Sequence, residues 1–337
     1  MTALVWTLTA PFLLWAVLRL LPSDVHFRWV QLVAFTPWVA AASPLGPLAA
    51  LLTRRWRAFV IGVAATTALA ACVVPRALPE GQPDTRGPAL RVLSANLLLG
   101  SVPPRALLAL VRDVRPDVVT LQEFTPALAR GLREAGIAGL LPYGVERPVE
   151  GSGGSAVLSR YPVRLDATIE FGGFRQTGAV VRVPGAGDVH VVSVHPCAPR
   201  YPVRLRCWTD GLAALPRPDG DTRILSGDFN ATLDHAGLRA LLNAGYRDAA
   251  DATGGGLAGT WPYQRWRFLG LDVPPVTIDH VLASPGVAVR SFAVRALSLS
   301  DHRAIVADLT LPARRAQVTV GASGRGAVAE DVPVPLG

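Results

Sequence analysis

The stretch Arg223-Ile224-Leu225-Ser226-Gly227-Asp228-Phe229-Asn230 decides the fold of this chain. Its apolar start predicts the end of a buried strand, and Gly227 lets the backbone turn closely enough to present the residues that follow. Because side chains alternate along an extended chain, Asp228 and Asn230 point together while Phe229 points the other way. A carboxylate and an amide at a strand end suit the holding and deprotonation of a water beside a phosphate and a hard metal ion. Gly-Asp and Asn are also ordinary turn residues, so this stretch alone leaves a plain turn equally open.

Polar residues recur at the ends of other predicted strands. The set comprises Asn96 after Val-Leu-Ser-Ala, Glu123 after Val-Thr-Leu-Gln, His195 after Val-Val-Ser-Val, Asp279 within Val-Thr-Ile-Asp-His-Val-Leu, and Asp301-His302 after Leu-Ser-Leu-Ser. One such residue is an ordinary cap or turn residue, but neighbouring strand ends converge in space. The sequence therefore predicts that these side chains share one site.

Residues 1–75 are predicted to form a helical membrane region. Three apolar segments, at about 3–21, 30–52 and 58–74, each come near the roughly 17 to 25 residues that a spanning helix needs. The middle segment carries Pro37, Pro44 and Pro47, which predict a kink or a break. A hairpin of buried globular helices is the alternative interpretation.

Arginines predict the orientation of this region. Arg54, Arg55 and Arg57 crowd the link between the second and third segments, whereas the first link has Arg28. Cytoplasmic links are the ones enriched in basic residues, so the amino terminus is expected inside the cell and everything after Val74 outside. A cytoplasmic soluble domain is the alternative. The net charge of +8 does not argue for nucleic-acid binding, because residues 91–308, with 23 arginines against 20 acidic residues, account for only +3 of it.

Three cysteines bear on the compartment. Cys197 and Cys207 can close a disulfide if the domain is extracytoplasmic, and two buried thiols are an equally open alternative. Cys72 follows Leu-Ala-Ala, which resembles a lipoprotein processing site, but the two preceding helices argue against that interpretation.

The remaining chain divides by composition. Residues 76–90, rich in Pro and Gly, are predicted to be a linker, and 313–337 lack periodicity and are predicted to be a disordered tail. Between them, residues 91–312 contain more strand-like than helix-like segments, and many strands are apolar on both faces. Stacked sheets flanked by helices are the expected architecture.

The motifs SANL, LQEF, GSAVLSRYP, VSVHP, SGDFN, TIDHVL and SDHRAI, in this order, resemble the endonuclease/exonuclease/phosphatase superfamily of metal-dependent phosphoesterases. With apolar segments in front, the chain resembles the membrane-anchored bacterial branch. The resemblance covers residues 91 to about 312 and implies an α/β fold, a two-sheet sandwich like that of DNase I.

The resemblance assigns a role to each polar residue. Glu123 is similar to the principal Mg²⁺ ligand of the family, with Mn²⁺ as a substitute, and Asp301 and Asn96 are expected to complete the metal side. Asp228 is expected to take the proton from the attacking water and Asn230 to orient that water.

The imidazoles have different expected roles. His302, with Asp279 behind it, resembles the carboxylate-oriented imidazole that stabilises charge building on phosphorus. His195 resembles the histidine that protonates or stabilises the leaving oxygen in some branches, and a plain loop histidine is its alternative. His280 is expected to pack rather than react, and His235 to cap the following helix. Leu98 stands where several nucleases of the superfamily have a second acidic residue, which favours one metal ion over two.

Two segments are candidates for substrate recognition. Arg200, Arg204 and Arg206 are either a clamp for anionic oxygens or a solvated loop. Trp261 opens an aromatic segment, 260–271, that suits base stacking, a lipid interface or a core position equally. The expected partners are the lipid bilayer and a phosphate ester, carried by a lipid head group, a nucleic acid or a surface glycan. A non-catalytic cell-surface interaction module of the same fold is the contrasting hypothesis.

Overall fold

The computed structural model describes residues 2–314 and 334–336. Its helices are α1 (Thr2–Leu20), α2 (Phe27–Val33), α3 (Thr36–Ala42), α4 (Leu45–Leu52), α5 (Trp56–Val73), α6 (Pro104–Val114), α7 (Pro126–Glu134), α8 (Leu205–Ala213), α9 (Ala236–Asn243) and α10 (Ala249–Ala252). Its strands are β1 (Ala89–Asn96), β2 (Val118–Gln122), β3 (Tyr143–Arg147), β4 (Ser155–Ser159), β5 (Val163–Phe171), β6 (Phe174–Val183), β7 (Gly187–Val194), β8 (Arg223–Asp228), β9 (Arg247–Asp248), β10 (Arg267–Phe268), β11 (Leu271–Asp272), β12 (Asp279–Ala283), β13 (Ala288–Arg295) and β14 (Ala304–Thr310).

In the described part of the chain these strands form two six-stranded sheets and one short hairpin, β10–β11. The first sheet has the order β13-β14-β1-β2-β4-β3, and the second has the order β5-β6-β7-β8-β12-β9. Each sheet contains one parallel pair, β1 with β2 and β7 with β8, while the neighbouring strands around these pairs run antiparallel.

The inner faces of the two sheets share one hydrophobic core. Val92 and Val118 of the first sheet lie in the same buried cluster as Val191 and Ile224 of the second. Helices α6 and α7 cover the outer face of the first sheet, and α8 and α9 cover that of the second. Both faces of the central strands are therefore apolar, which confirms the predicted two-sheet α/β sandwich.

The N-terminal helices are long and apolar enough to cross a membrane in two places. Ala3–Leu20 and Trp56–Ala77 meet this description by length and composition, and the pair Phe27–Val33 and Thr36–Leu52, bent by 65°, makes a third candidate if it counts as one span. The bend lies just before Pro37, where proline removes a backbone donor and disfavours the helical conformation of the preceding residue.

Asp234 joins these helices to the sandwich. Its fully buried carboxylate accepts hydrogen bonds from Arg19 Nε at the end of α1 (2.5 Å) and from Arg76 Nη1 and Nη2 after α5 (2.8 and 2.6 Å). These guanidinium groups outweigh the effect of burial and hold the pKa of Asp234 below its usual range. Because Asp234 lies just beyond Asn230, the helices attach at the edge of the second sheet where β8 ends.

The segment predicted as a linker lies along the sandwich. Glu80 N donates to Ala252 O (3.1 Å), and Gln82 Oε1 accepts from Val289 N (2.9 Å). Of the predicted disordered tail, residues 315–333 and 337 lie outside the described residues, while Val334 O accepts from Gly144 N of β3 (3.2 Å).

Candidate active site

Four strand ends meet at one edge of the sandwich. In each sheet the two parallel strands end at the same edge, as their registers require. The two pairs face each other across the core, where Thr120 Oγ1 of β2 donates to Ser226 Oγ of β8 (3.1 Å). The polar residues at or just after these strand ends are Asn96, Glu123, His195 and Asp228.

Gly227 and the strand register place two carboxylates side by side. A Cβ at position 227 would lie 2.1 Å from the carbonyl oxygen of Val194, so glycine is what allows β8 to pass β7 at this distance. Asp228 and Asp279 are direct cross-strand partners of β8 and β12, an arrangement that puts Cβ atoms roughly 4.5–5.5 Å apart. Both residues are buried, so the repulsion between their charges is poorly screened.

Asp228 is positioned as a hydrogen-bond acceptor. Its Oδ1 accepts from the backbone N–H of Asn230 (2.8 Å), and its Oδ2 accepts from Asn96 Nδ2 (3.0 Å). Burial raises the pKa of Asp228 to about 7, with Asp279 adding to the rise and His302 opposing it. A carboxylate with this pKa can exchange a proton with a water near neutral pH.

His302 lies between the two carboxylates. Its Nδ1 is 2.9 Å from Asp279 Oδ2, and its Nε2 is 3.6 Å from Asp228 Oδ2. Burial disfavours the imidazolium, but Asp279 and Asp228 outweigh this effect and raise the pKa of His302 to about 10. Neighbouring groups with separated pKa values suit a base and an acid that act in the same reaction.

His195, directly after β7, faces the carboxylates of Asp228 and Glu123. Its Nε2 lies 3.6 Å from Asp228 Oδ2 and 3.9 Å from Glu123 Oε1, and its ring meets Phe174 edge-on at 5.2 Å. Burial, with His302 nearby, lowers the pKa of His195 to about 3. The ring is therefore neutral at physiological pH and suits hydrogen-bond donation better than protonation of a leaving group.

Glu123 reaches the site through an unusual backbone conformation. Its φ of +56° turns the chain directly after β2, a conformation that costs a non-glycine residue about 1–3 kcal/mol and is common at functional sites. One carboxylate oxygen accepts from Leu99 N–H at 2.5 Å. Burial raises the pKa of Glu123 above its usual range. A nearby cation would offset the cost of burying the charged carboxylate.

Asp301 carries an acceptor atom without a hydrogen bond; the nearest charged group is His302 Nε2, 4.0 Å from its Oδ1. Its Oδ2 accepts from the indole Nε1–H of Trp261 (3.0 Å), while its Oδ1 is buried and makes no hydrogen bond among the described residues. A buried carboxylate oxygen left unpaired is costly unless a ligand or ion completes it. Asp301 also lies within electrostatic range of Glu123, so both carboxylates border the same space.

A second group in the site is compact enough to be considered for a metal ion. Asp228, Asp279 and His302 each offer one ligand atom, and these atoms lie within 4.8 Å of one another. The hydrogen bond between His302 Nδ1 and Asp279 and the high pKa of His302 favour a proton-transfer role for this group, because a metal would need the neutral imidazole. Asp301 Oδ1 makes no hydrogen bond among the described residues and has His302 Nε2 only at 4.0 Å, so the Glu123 side is the better fit for a cation.

Not all residues predicted for the site lie in it. Arg200, Arg204 and Arg206 are exposed, and the guanidinium of Arg204 lies 5.6 Å from the ring centre of Phe174. This places Arg204 at the rim beside His195. Trp261, in contrast, is part of the site through its bond to Asp301.

Three further predictions have structural outcomes. Cys197 and Cys207 are joined in a disulfide near the rim. His280 packs away from the site, with its Nδ1 2.7 Å from Asp248 Oδ2. His235 stands at the start of α9 but makes no capping bond with its side chain, which instead accepts from Thr232 N–H (2.8 Å).

Sequence reasoning missed the residues that hold the side chains of the candidate site in place. Ser300 Oγ donates to Asn96 O (2.8 Å) and accepts from His302 N–H (3.1 Å), which ties the end of β1 to the loop before β14. Thr260 Oγ1 accepts from Asp279 N–H (3.2 Å). Ser300 stands directly before Asp301-His302 in the SDHRAI motif, and that position was the available signal. Thr260 is 19 positions from Asp279 in the sequence, and no motif signalled its role.

Comparison with known proteins identifies a family. The model of the endonuclease/exonuclease/phosphatase family matches residues 93–302. No curated protein is similar enough to count as a match. Similar solved structures include an endonuclease/exonuclease/phosphatase from Beutenbergia cavernae (22% identity, 66% of this chain and 72% of that chain, TM-score 0.49). Others are D. rerio TDP2 complexed with single strand DNA product (19% identity, 66% and 99%, TM-score 0.50) and a functionally unknown conserved protein from Enterococcus faecalis (16% identity, 66% and 99%, TM-score 0.50).

At these identities the two structures with a TM-score of 0.50 support the fold alone. The family match spans most of the chain and includes the strand ends that carry the site, from Asn96 to His302. The chain therefore belongs to the endonuclease/exonuclease/phosphatase family.

Proposed function

We propose that this protein is a membrane-anchored, divalent-metal-dependent phosphoesterase that hydrolyses a phosphodiester, or a phosphomonoester, by in-line attack of water. The observation that carries the proposal is the convergence of Glu123 and Asp301 on one side with Asp228, His302 and Asp279 on the other. The first group offers carboxylate oxygens to a cation, and the second offers a base and a charged acid within 3.6 Å of each other. Phosphoryl transfer needs both kinds of group.

Mg²⁺ or Mn²⁺ would be held by Glu123 and Asp301, with Asn96 beside them. These are oxygen donors, which hard divalent cations prefer, and few carboxylates suffice because such an ion keeps several waters. When bound, the ion supplies charge neutralisation at the phosphate oxygens. Leu98 contributes no carboxylate, so we propose a single ion.

Asp228 and Asn230 deprotonate and orient the attacking water. With a pKa of about 7, Asp228 is ionised in a substantial fraction of molecules at neutral pH and takes the proton of the attacking water. Asn230 orients that water. Its backbone N–H fixes the carboxylate of Asp228, and its side chain is held in place by Nδ2, which donates to Pro196 O (3.2 Å).

His302 stabilises the charge that builds on the phosphoryl oxygens. Asp279 keeps the ring charged and fixes its orientation through Nδ1. His195, neutral at this pH, donates a hydrogen bond to the leaving oxygen. The roles of the two histidines thus differ because their local charges differ.

The helices support a membrane location with an extracytoplasmic catalytic domain. Helices α1 and α5 pack together, and both end at the sandwich through Arg19 and Arg76. The link with Arg54, Arg55 and Arg57 therefore lies at the opposite end of the helices, and basic links favour the cytoplasm. The disulfide near the rim is consistent with an oxidising compartment. We propose a multi-pass arrangement on this basis.

A non-catalytic interaction module explains the site less well. Asp228, Asp279 and His302 are 1%, 2% and 6% exposed, so they present almost nothing to a binding partner. Burying like charges side by side lowers stability, and a binding surface gains nothing from it.

The test is a hydrolysis panel with the full-length chain in detergent, supplied with Mg²⁺ or Mn²⁺. The panel contains bis-p-nitrophenyl phosphate, p-nitrophenyl phosphate, DNA, RNA, phospholipids and sugar phosphates. We expect metal-dependent hydrolysis of at least one ester that Asp228→Ala and His302→Ala abolish. Inactivity of the folded protein across the panel with both metals would favour the interaction module.

A further inference from the structure

The β10–β11 hairpin presents an unusual apolar surface. Trp266, Phe268, Leu269 and Leu271 are 44%, 63%, 88% and 74% exposed. We call residues 266–271 the apolar hairpin. A core position is excluded for these side chains, and contiguous exposed apolar side chains mark an interaction site rather than an ordinary surface.

The apolar hairpin lies directly beside the site. The ring of Trp266 packs on Trp261 at 5.1 Å, and Trp261 in turn donates to Asp301 Oδ2 (3.0 Å). At the base of the hairpin, Tyr263 N–H donates to Asp301 O (2.7 Å). Whatever covers the hairpin therefore lies next to the proposed metal side of the site.

Both loops that border the site also touch the N-terminal helices. Trp38 Nε1 of α3 donates to Pro275 O, just after the hairpin (3.2 Å), and Gln31 Nε2 of α2 donates to Arg200 O on the opposite loop (3.4 Å). That opposite loop exposes Tyr201 by 60% and Val203 by 85%. The apolar side chains therefore stand on the two loops that adjoin the helices proposed to lie in the bilayer.

We propose that the apolar hairpin inserts into the interface of the bilayer that holds the helices, and that the substrate is a phosphodiester in a lipid head group. The inference rests on the proposed function and names its substrate class. Aromatic and aliphatic side chains flanked by arginine are the composition that interfaces accept. The exposed arginines around the site are Arg200, Arg204, Arg206, Arg265 and Arg267.

These charges complement a lipid surface. Arg265 makes no ion pair among residues 2–314 and 334–336, so it is free to meet an anionic head group, while Arg267 pairs with Asp272 at 2.9 Å. Basic residues near an anionic leaflet strengthen binding by about 1 kcal/mol each. A lipid phosphate bound by these arginines would lie beside the site.

Hairpin insertion is tested by lipid quenching. The full chain, carrying Cys72→Ala and Leu269→Cys with an environment-sensitive fluorophore, is reconstituted in phosphatidylcholine–phosphatidylglycerol vesicles that contain a shallow nitroxide lipid. We expect a blue-shifted emission and strong loss of fluorescence to the nitroxide, with little loss to aqueous iodide. Leu165→Cys, 43% exposed on β5, is the matched control and should show the reverse. Iodide quenching of both sites alike would overturn the proposal.

The substrate class is tested with three substrates: the phospholipid of the same vesicles, water-soluble bis-p-nitrophenyl phosphate and an oligonucleotide. Phe268→Glu/Leu269→Glu should slow the hydrolysis of vesicle phospholipid by about tenfold or more, because it removes two apolar side chains from the interface and places two negative charges against an anionic leaflet. It should leave the hydrolysis of water-soluble bis-p-nitrophenyl phosphate unchanged, and Leu165→Glu should leave both unchanged. Equal losses on both substrates, or hydrolysis of an oligonucleotide but not of lipid by the wild type, would overturn the inference. Wild-type inactivity on all three would instead refute the proposed function, while the quenching result would still report insertion.

Discussion

Replacing Asp279 with Asn should shift the alkaline limit of activity to lower pH. The carboxylate of Asp279 lies 2.9 Å from Nδ1 of His302 and, with Asp228, raises the pKa of His302 to about 10. Asparagine has nearly the same shape but no charge. The variant therefore removes the electrostatic support of the imidazolium while it keeps a polar group in the same place.

The size of the effect follows from the two pKa values. In the wild type, His302 stays protonated throughout the range from pH 6 to pH 9, since its pKa is about 10. In the variant we expect the pKa to fall towards the ordinary value of about 6.5, which leaves about 3% of the imidazole protonated at pH 8. Activity at pH 8 should drop up to about thirtyfold from this cause, with a smaller loss at pH 6.

The acid limb of the pH profile should move in the same direction. Activity rises as Asp228 loses its proton, and its pKa of about 7 is raised in part by Asp279. Removing that charge lowers the pKa of Asp228, so the rising limb also moves to lower pH. The whole optimum of the variant should therefore become more acidic.

The assay is the initial rate of phosphodiester hydrolysis with saturating Mg²⁺ from pH 5.5 to pH 9. Asp248→Asn is the matched control, because Asp248 forms the same kind of buried pair with His280 (2.7 Å) outside the site. It should leave the pH optimum in place. If Asp279→Asn lost the same fraction of activity at every pH, His302 would not act as the charged acid and the reasoning would be refuted.

Three other substitutions test separate parts of the account. Asp228→Asn should lower kcat by about 10²–10⁴ with little change in the affinity for Mn²⁺ measured by calorimetry; an active variant would exclude Asp228 as the base. Glu123→Gln should raise the Mn²⁺ concentration needed for half-maximal activity by at least tenfold, and an unchanged metal requirement would place the ion elsewhere. Asp234→Asn should lower the free energy of unfolding by about 3–5 kcal/mol, because it leaves two buried arginines unpaired, whereas Asp84→Asn in an exposed pair should change it little.

Local patterns predicted much of the fold and of the site. Apolar strands ending in polar residues identified Asn96, Glu123 and Asp228, because alternation and chain direction are local properties. The prolines of the middle apolar segment likewise predicted its break. The observed bend of 65° could not be read from them, since it depends on packing against other helices.

Long-range pairing was beyond the sequence patterns. That Asp279 stands opposite Asp228 follows from the register of β12 on β8, which many distant contacts decide together. The same register turns His280, the next residue, to the other face of the sheet. The exposed hairpin was also unpredictable, because aromatic segments of this composition occur equally in cores.

The segment predicted as a free linker is instead packed against the sandwich. Its Pro and Gly content predicts a free connection. In the structure Arg76 is instead buried against Asp234, and Gln82 bonds to β13. The Pro and Gly content of a segment indicates which backbone conformations it can adopt, whereas its contacts depend on the part of the folded protein beside it.

The most direct test of the central claim is single-turnover hydrolysis of a phosphodiester by the full-length protein in ¹⁸O-labelled water with Mg²⁺. The account predicts one ¹⁸O atom in the phosphate product and none in the released alcohol, with no turnover when the metal is chelated or when Asp228 is replaced by Ala. Label in the alcohol, or equal turnover without metal, would contradict it.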